Sequence, residues 1–195
     1  GTSHFLGQNF AKAFDVQFAT SEGKKEYVWG TSWGVSTRLV GALIMTHSDD
    51  KGLVLPPNLA PIKVVLVPIF NSDEEYDTIT KKLHGIAKKL KLKNISCKVD
   101  DRKNFKPGWK FSEYELKGVP IRLALGPKDI QNNSIEIARR DTLEKEIIKE
   151  DKVENKIEEL LSEIQDNLFI KAKKFRQDNT SEIHNYEDFK KIFKS

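Results

Sequence analysis

The chain has 195 residues, 38% of them hydrophobic and 32% charged, and 33 basic against 29 acidic side chains leave a net charge of +4. That length suits one large domain or a small one joined to pieces of others, and so mild a basic excess does not by itself call for nucleic acid. One cysteine excludes an internal disulfide framework and a cysteine-only zinc cluster and fits a reducing, cytoplasmic setting, while no apolar run is long enough to span a bilayer and no secretory leader is visible.

The chain opens on Gly1 without an initiator methionine and reads as a piece of a longer protein. Residues 14–18 alternate as a strand does, residues 21–25 are polar turn chemistry, and residues 26–29 return, so a hairpin is expected. Residues 39–45 are then apolar on every side, which predicts a buried helix, capped by Ser36 or Thr37. Arg38 falls at the mouth of this helix, where the dipole disfavours a cation. An anion held between free amides and the guanidinium would explain the placement. The competing explanation is a carboxylate partner elsewhere in the fold. Turn residues 48–52 end the helix, residues 53–55 can form a short strand, and Pro56, Pro57 and Pro61 mark an extended linker.

From about residue 60 the pattern becomes α/β. Residues 64–67 form an apolar run typical of a strand covered on both faces. Ser72 with Glu75 makes a capping box for a helix whose apolar stripe is Tyr76, Ile79, Leu83, Ile86 and Leu90. Further strands are expected at 95–99, 121–125 and 134–139, with a short helix at 111–116 stopped by Gly118 and Pro120. This alternation argues for a parallel or mixed sheet with helices packed on it. A long amphipathic helix follows, with the stripe Val153, Ile157, Leu160, Leu161, Ile164, Leu168 and Ala172, and a basic end suited to the dipole. Residues 185–195 read as another short helix.

Several blocks carry a resemblance. The segments 1–10 (GTSHFLGQNF), 31–38 (TSWGVSTR), 47–50 (HSDD), 52–57 (GLVLPP), 107–111 (PGWKF), 113–122 (EYELKGVPIR) and 125–129 (LGPKD) together resemble the prolyl-tRNA synthetases of the archaeal/eukaryotic type. The resemblance covers nearly the whole chain. It implies the end of a class II catalytic domain, built on an antiparallel sheet, over residues 1–59. An α/β anticodon-binding domain with a mixed five-stranded sheet would occupy 60–150, and linking helices that begin a C-terminal domain would occupy 151–195. The implied reaction joins L-proline to tRNA(Pro) through prolyl-adenylate, using ATP and Mg2+, in a cytoplasmic homodimer. Residues 31–38 resemble motif 3 of the class. Motifs 1 and 2 lie upstream in the family, so the piece alone is expected to be inactive.

Roles follow residue by residue from the resemblance. Thr2, Ser36 and Arg38 resemble ATP contacts. His4, Ser32, Trp33 and Gly34 resemble the wall of the proline pocket, where an indole can lie on the flat pyrrolidine and a glycine admits close approach. Glu115, Arg122, Lys128 and Asp129 resemble the readers of two anticodon guanines; cations suit O6 and N7, and carboxylates suit the ring N–H and amino group. Without the resemblance these four would be read as a surface salt-bridge network. Arg102, Lys103, Lys106 and Lys110, interleaved with Phe105 and Trp109, could meet phosphates and stack bases. Asp49 and Asp50 read as turn residues rather than magnesium ligands, His84 as a solvated surface group, and Cys97 as a buried strand residue; no metal site is expected. Another class II synthetase, or a non-catalytic tRNA-binding paralogue, would fit the same pattern.

Overall fold

The computed structural model describes residues 1–192, in two compact units, Gly1–Leu43 and Ile44 onward. In the first, β1 (Thr2–Gly7) and β4 (Gly30–Gly34) pair antiparallel, α1 (Asn9–Ala13) follows β1, and β2 (Gln17–Ala19) pairs antiparallel with β3 (Lys25–Tyr27). The expected hairpin is therefore present, with both strands shorter than expected and closer to the turn. The helix α2 (Arg38–His47) forms where the apolar run predicts it, with its first turn closed by the amides of Leu39 and Val40 on the carbonyls of Ser36 and Thr37. It is not buried: Leu39, Val40, Ile44 and Met45 are all exposed. An all-round apolar helix needs cover, and none of its residues is buried here.

The second unit is built on a five-stranded mixed sheet with strand order β6 (Cys97–Val99), β5 (Val64–Pro68), β7 (Ile121–Leu125), β8 (Ser134–Arg139), β9 (Lys145–Lys149). The first three strands run parallel, and β8 and β9 are antiparallel additions. The central strands β5 and β7 are buried throughout, as continuous apolar runs require. On one face, Val64, Leu66, Ile121, Leu123, Ile135 and Ile137 pack against α3 (Asp73–Leu92) and α6 (Val153–Asp178), whose stripes Ile79, Leu83, Leu90 and Ile157, Leu160, Ile164 are the predicted ones. Ser72 caps α3 by accepting from the Glu75 amide at 3.2 Å, while the Glu75 carboxylate reaches one residue beyond the cap to the Asn71 amide at 2.8 Å. On the other face Val65 and Val67 meet Tyr114 and Val119, carried by and following α4 (Pro107–Leu116), which starts earlier than expected because Pro107 takes the first helical position.

Residues 53–55 do not form a strand. Their amides are nevertheless used: Leu53 donates to the Leu116 carbonyl at 3.0 Å and Leu55 to the Gly118 carbonyl at 3.3 Å. The contact is close on both sides. A Cβ on Gly52 (φ +129°) would lie 2.6 Å from the Leu116 backbone, and one on Gly118 (φ +69°) 2.7 Å from that of Leu53. Val54, Pro56 and Pro57 are buried. The second compact unit begins at Ile44 and so takes in the proline-rich segment. Cys97 is half-buried rather than buried, and its thiol lies 3.4 Å from the Ala87 carbonyl. The short helices α5 (Pro127–Gln131) and α7 (Tyr186–Ile192) complete the chain; the expected final helix extends to 193–195, outside the described residues.

Candidate functional site

The register of β1 against β4 sets Thr2 opposite Gly34, Ser3 opposite Trp33, His4 opposite Ser32 and Phe5 opposite Thr31. Opposed residues share a face, and faces alternate along a strand. Thr2, His4, Ser32 and Gly34 therefore fall on one face. Trp33 belongs to the other, with Ser3, Phe5 and Thr31, so the four residues taken for one pocket wall are divided, because a period of two separates neighbours. Trp33 is exposed, and Phe5 beside it stacks on Trp29 with centroids 5.8 Å apart. Thr2, Ser36 and Arg38 do come together: with Gly1, Gly34, Val35 and Leu39 they line an open depression of about 400 Å³ at the start of α2. Arg38 forms no ion pair among the described residues, so the competing carboxylate partner is not among them.

In the second unit, Arg122 is the second residue of β7, on the face that carries α4. It is 6% exposed. Its guanidinium lies over the Phe111 ring, 3.6 Å from the centroid, and Nη2 is 3.2 Å from Glu136 Oε1. Nη1 is buried with no hydrogen-bond partner. Burial lowers the Arg122 pKa, and the carboxylates of Glu136 and Glu115 act against that shift. Glu115 and Arg122 share a small recess of about 20 Å³ with Phe111, Tyr114, Val119, Ala138, Arg139 and Arg140. An unmet buried donor costs about 1–3 kcal/mol, so an acceptor atom that reached Nη1 through this recess would recover that cost.

Lys128 and Asp129 stand on α5, beyond the end of β7, and do not line this recess. Lys128 is exposed. Asp129 Oδ2 accepts from the Gly126 amide at 2.8 Å, which fixes the entry to α5 and occupies one carboxylate oxygen. Among the described residues no ion pair joins any two of Glu115, Arg122, Lys128 and Asp129. They are not the salt-bridge network that their types alone suggest.

In the basic run 102–110 Arg102, Lys103 and Lys110 are engaged within the fold, while Lys106 is exposed and forms no ion pair among the described residues. Arg102 donates to Asp100 through Nε (2.8 Å) and Nη2 (2.6 Å), and its Nη2 also reaches Glu113. Its guanidinium lies over Phe105 and Trp109, which stack on each other at 4.1 Å. Lys103 pairs with Asp73 at 2.7 Å, and Lys110 is fully buried and donates to the Asp100 carbonyl at 2.8 Å. Burial would raise the Asp100 carboxyl, but hydrogen bonds from Arg102 and the charge of Lys110 hold it down at about 2. Asp49 is a turn residue, as expected, bonded to the Lys51 amide at 2.9 Å. It also forms a bidentate pair with the buried Arg140, which in turn donates to the carbonyls of Glu115 (3.0 Å) and Gly52 (3.2 Å). His84 is surface-exposed near Asp101. Sequence reasoning missed Glu136, Phe111 and Arg140. Period-two spacing in β8 could have put Glu136 on the Arg122 face, but nothing local points from Arg140 to Asp49. Among the described residues no three His, Cys, Asp or Glu side chains converge as a metal site, and no helix is long and apolar enough to cross a membrane.

A mixed sheet with α4 across one face and a buried arginine beside a small recess is an architecture for presenting a few side chains to a ligand. A family profile described as an anticodon binding domain matches residues 63–160, the segment that builds this sheet, and the chain belongs to that family. Over its whole length it is similar to proline--tRNA ligases. It is 60% identical across 194 residues to that of Christiangramia forsetii, covering all of this chain and 39% of the relative. It is 59% identical to that of Flavobacterium psychrophilum, with 100% and 40% covered, and 62% identical to that of Parabacteroides distasonis, with 97% and 38% covered. The chain thus spans about two fifths of the length of the curated relatives it matches.

Proposed function

We propose that this chain is the anticodon-reading part, with an adjoining piece of the catalytic domain, of an enzyme that joins L-proline to tRNA(Pro) through prolyl-adenylate. Residues 1–59 would belong to the class II catalytic domain and contain motif 3. Residues 60–150 would form the anticodon-binding domain, and 151–195 would lead into a further domain. The observation that carries the reading is the buried, unpartnered Nη1 of Arg122 beside Glu115 in the recess under α4. A donor so placed suits the O6 or N7 of a splayed guanine, with Glu115 suited to the ring N–H on the same base. Lys128 and Asp129 would act on a second base from α5.

At the start of α2, Thr2, Ser36 and Arg38 would meet ATP. The shared depression and an arginine free of ion pairs among the described residues fit a phosphate there. Mg2+ would accompany the ATP phosphates. His4, Ser32 and Gly34 would face proline from one side of the β1–β4 ribbon, and Trp33, on the opposite side, would act through packing rather than direct contact. A cytoplasmic homodimer is the expected setting of the whole enzyme.

The test is binding of a hairpin RNA bearing the proline anticodon by this chain, followed by fluorescence anisotropy. Arg122→Ala should weaken binding by about 1–3 kcal/mol, roughly 5- to 150-fold, and relax the guanine preference. Unchanged affinity, with the fold intact by circular dichroism, overturns the assignment.

A further inference from the structure

Arg122 is held in a specific attitude by a residue outside the resemblance. Ala138 stands directly opposite it on β8, and Glu136 is opposite Ala124, one rung along. Alanine is too short to hold a guanidinium and leaves the recess open. Glu136 is the diagonal neighbour, within reach of long side chains. Its Oε1 meets Nη2 at 3.2 Å while Phe111 lies against the guanidinium face. A guanidinium is planar and rigid, so a fixed face and a fixed Nη2 determine the direction of Nη1. Nη1 is the nitrogen left buried without a partner.

We propose that Glu136 is a positioning residue: it aims Nη1 of Arg122 into the recess and, by neutralising the guanidinium, makes the site favour a neutral base-edge acceptor over a phosphate. This rests on the reading of Arg122 as a base reader. The second part follows from charge. An unpaired buried cation would draw a phosphate oxygen, whereas an arginine already balanced by a carboxylate gains less from a second anion. The Glu136 side chain is 32% exposed against 7% for Arg122, so the pair is anchored from its wetter end and the arginine stays in place when Nη1 is engaged.

The experiment uses this chain with two RNA hairpins, one carrying the proline anticodon and one with the Arg122-read guanine replaced by adenine. Affinity is measured over a range of salt concentrations for wild type, Glu136→Ala, Glu136→Gln and Arg122→Ala, and folding is checked by circular dichroism. Glu136→Ala should lower guanine-over-adenine discrimination about tenfold, the worth of one misaimed contact. It should also steepen the salt dependence by roughly one phosphate equivalent. Glu136→Gln keeps an acceptor for Nη2 and removes the charge; discrimination should stay within about threefold of wild type while the salt dependence steepens as in the alanine variant. A merely structural role would move neither the discrimination nor the salt slope selectively. Loss of discrimination in Arg122→Ala but not in Glu136→Ala overturns the positioning role alone. Equal loss in the Gln and Ala variants overturns the hydrogen-bond aiming. No loss even in Arg122→Ala overturns the anticodon reading beneath it.

Discussion

Arg140 and Asp49 offer an asymmetric test of how this fold is held. The Arg140 side chain is 2% exposed and Asp49 43% exposed, and their bidentate contact joins the turn after β8 to the turn at residues 49–52. Asp49→Ala leaves a buried cation whose remaining bonds go only to the carbonyls of Glu115 and Gly52. Breaking a buried pair in this way costs about 3–5 kcal/mol, and the wetness of Asp49 brings the expected loss to about 2–3 kcal/mol. Arg140→Met should cost only about 1 kcal/mol, because Asp49 can rehydrate, and both carbonyls keep backbone donors, Gly118 on Glu115 and Asp49 on Gly52. The smaller truncation should thus be the more damaging. Acid adds a second signature. The hydrogen bonds from Arg140 hold the Asp49 carboxyl at about 2, below an unfolded value near 3.9. A depressed carboxylate contributes stability that is complete above the unfolded value and lost as pH falls through the folded one. After allowance for screening this contribution is about 1 kcal/mol. Urea unfolding followed by far-ultraviolet circular dichroism should show the gap between wild type and Asp49→Ala narrowing from about pH 5 to about pH 2. The reasoning fails if Arg140→Met is the worse variant, or if the gap is constant in acid.

Three further outcomes can be measured in the same way. Gly118→Ala should lose at least about 2 kcal/mol, since its Cβ would meet the Leu53 backbone at 2.7 Å and φ is +69°. Leu143 holds φ +62° in the turn between β8 and β9, and Leu143→Gly should raise stability by about 0.5–1 kcal/mol because that conformation costs nothing without a Cβ. Lys110→Met should cost about 1–3 kcal/mol, since the Asp100 carbonyl loses its side-chain donor and the buried Asp100 carboxylate keeps only Arg102 as a cation, while the apolar stem keeps its volume; thermal melting of the variant decides this.

Much of the sheet was legible because local pattern and tertiary role agree. Residues 121–125 and 134–139 alternate or run apolar over strand length and form β7 and β8 with those bounds. The stripes of α3 and α6 bury as expected except at Tyr76 and Ala172, which stay partly exposed. Beside β1, α1 and β4 of the first unit, which the sequence reading did not anticipate, two elements of the second unit escaped for opposite reasons. Strand β9 carries three charges in five residues, which suit an edge strand facing water but look like a solvated loop. Helix α5 has only five residues, too few to show a period. The helix α2 was read correctly as a helix and wrongly as buried: apolarity on every side states a need for cover, and only the structure says whether the chain supplies it.

The sites divide along the same physical line. The resemblance grouped residues close in sequence into one pocket wall, yet a strand separates neighbours: Ser32 and Trp33 are adjacent in the chain and on opposite faces of the ribbon. Conversely, Arg122 alternates with Ile121 and Leu123, which puts it on the face away from the main core and invites a solvent-exposed reading. Its burial comes from Phe111, eleven residues earlier on another element, and its partner Glu136 lies fourteen residues later. What a one-dimensional pattern carries is the face a residue occupies; what covers that face is set by packing at long range. The orphan Nη1 belongs to this second kind of information. It exists only because α4 lies across β5 with Phe111 turned toward β7, so a substitution that shifts α4, such as Gly118→Ala, should weaken RNA binding as well as the fold. Arg122→Ala should reduce binding and also lower the urea midpoint, since the gain from removing an unmet donor is outweighed by the lost contact with Phe111 and the unpairing of Glu136.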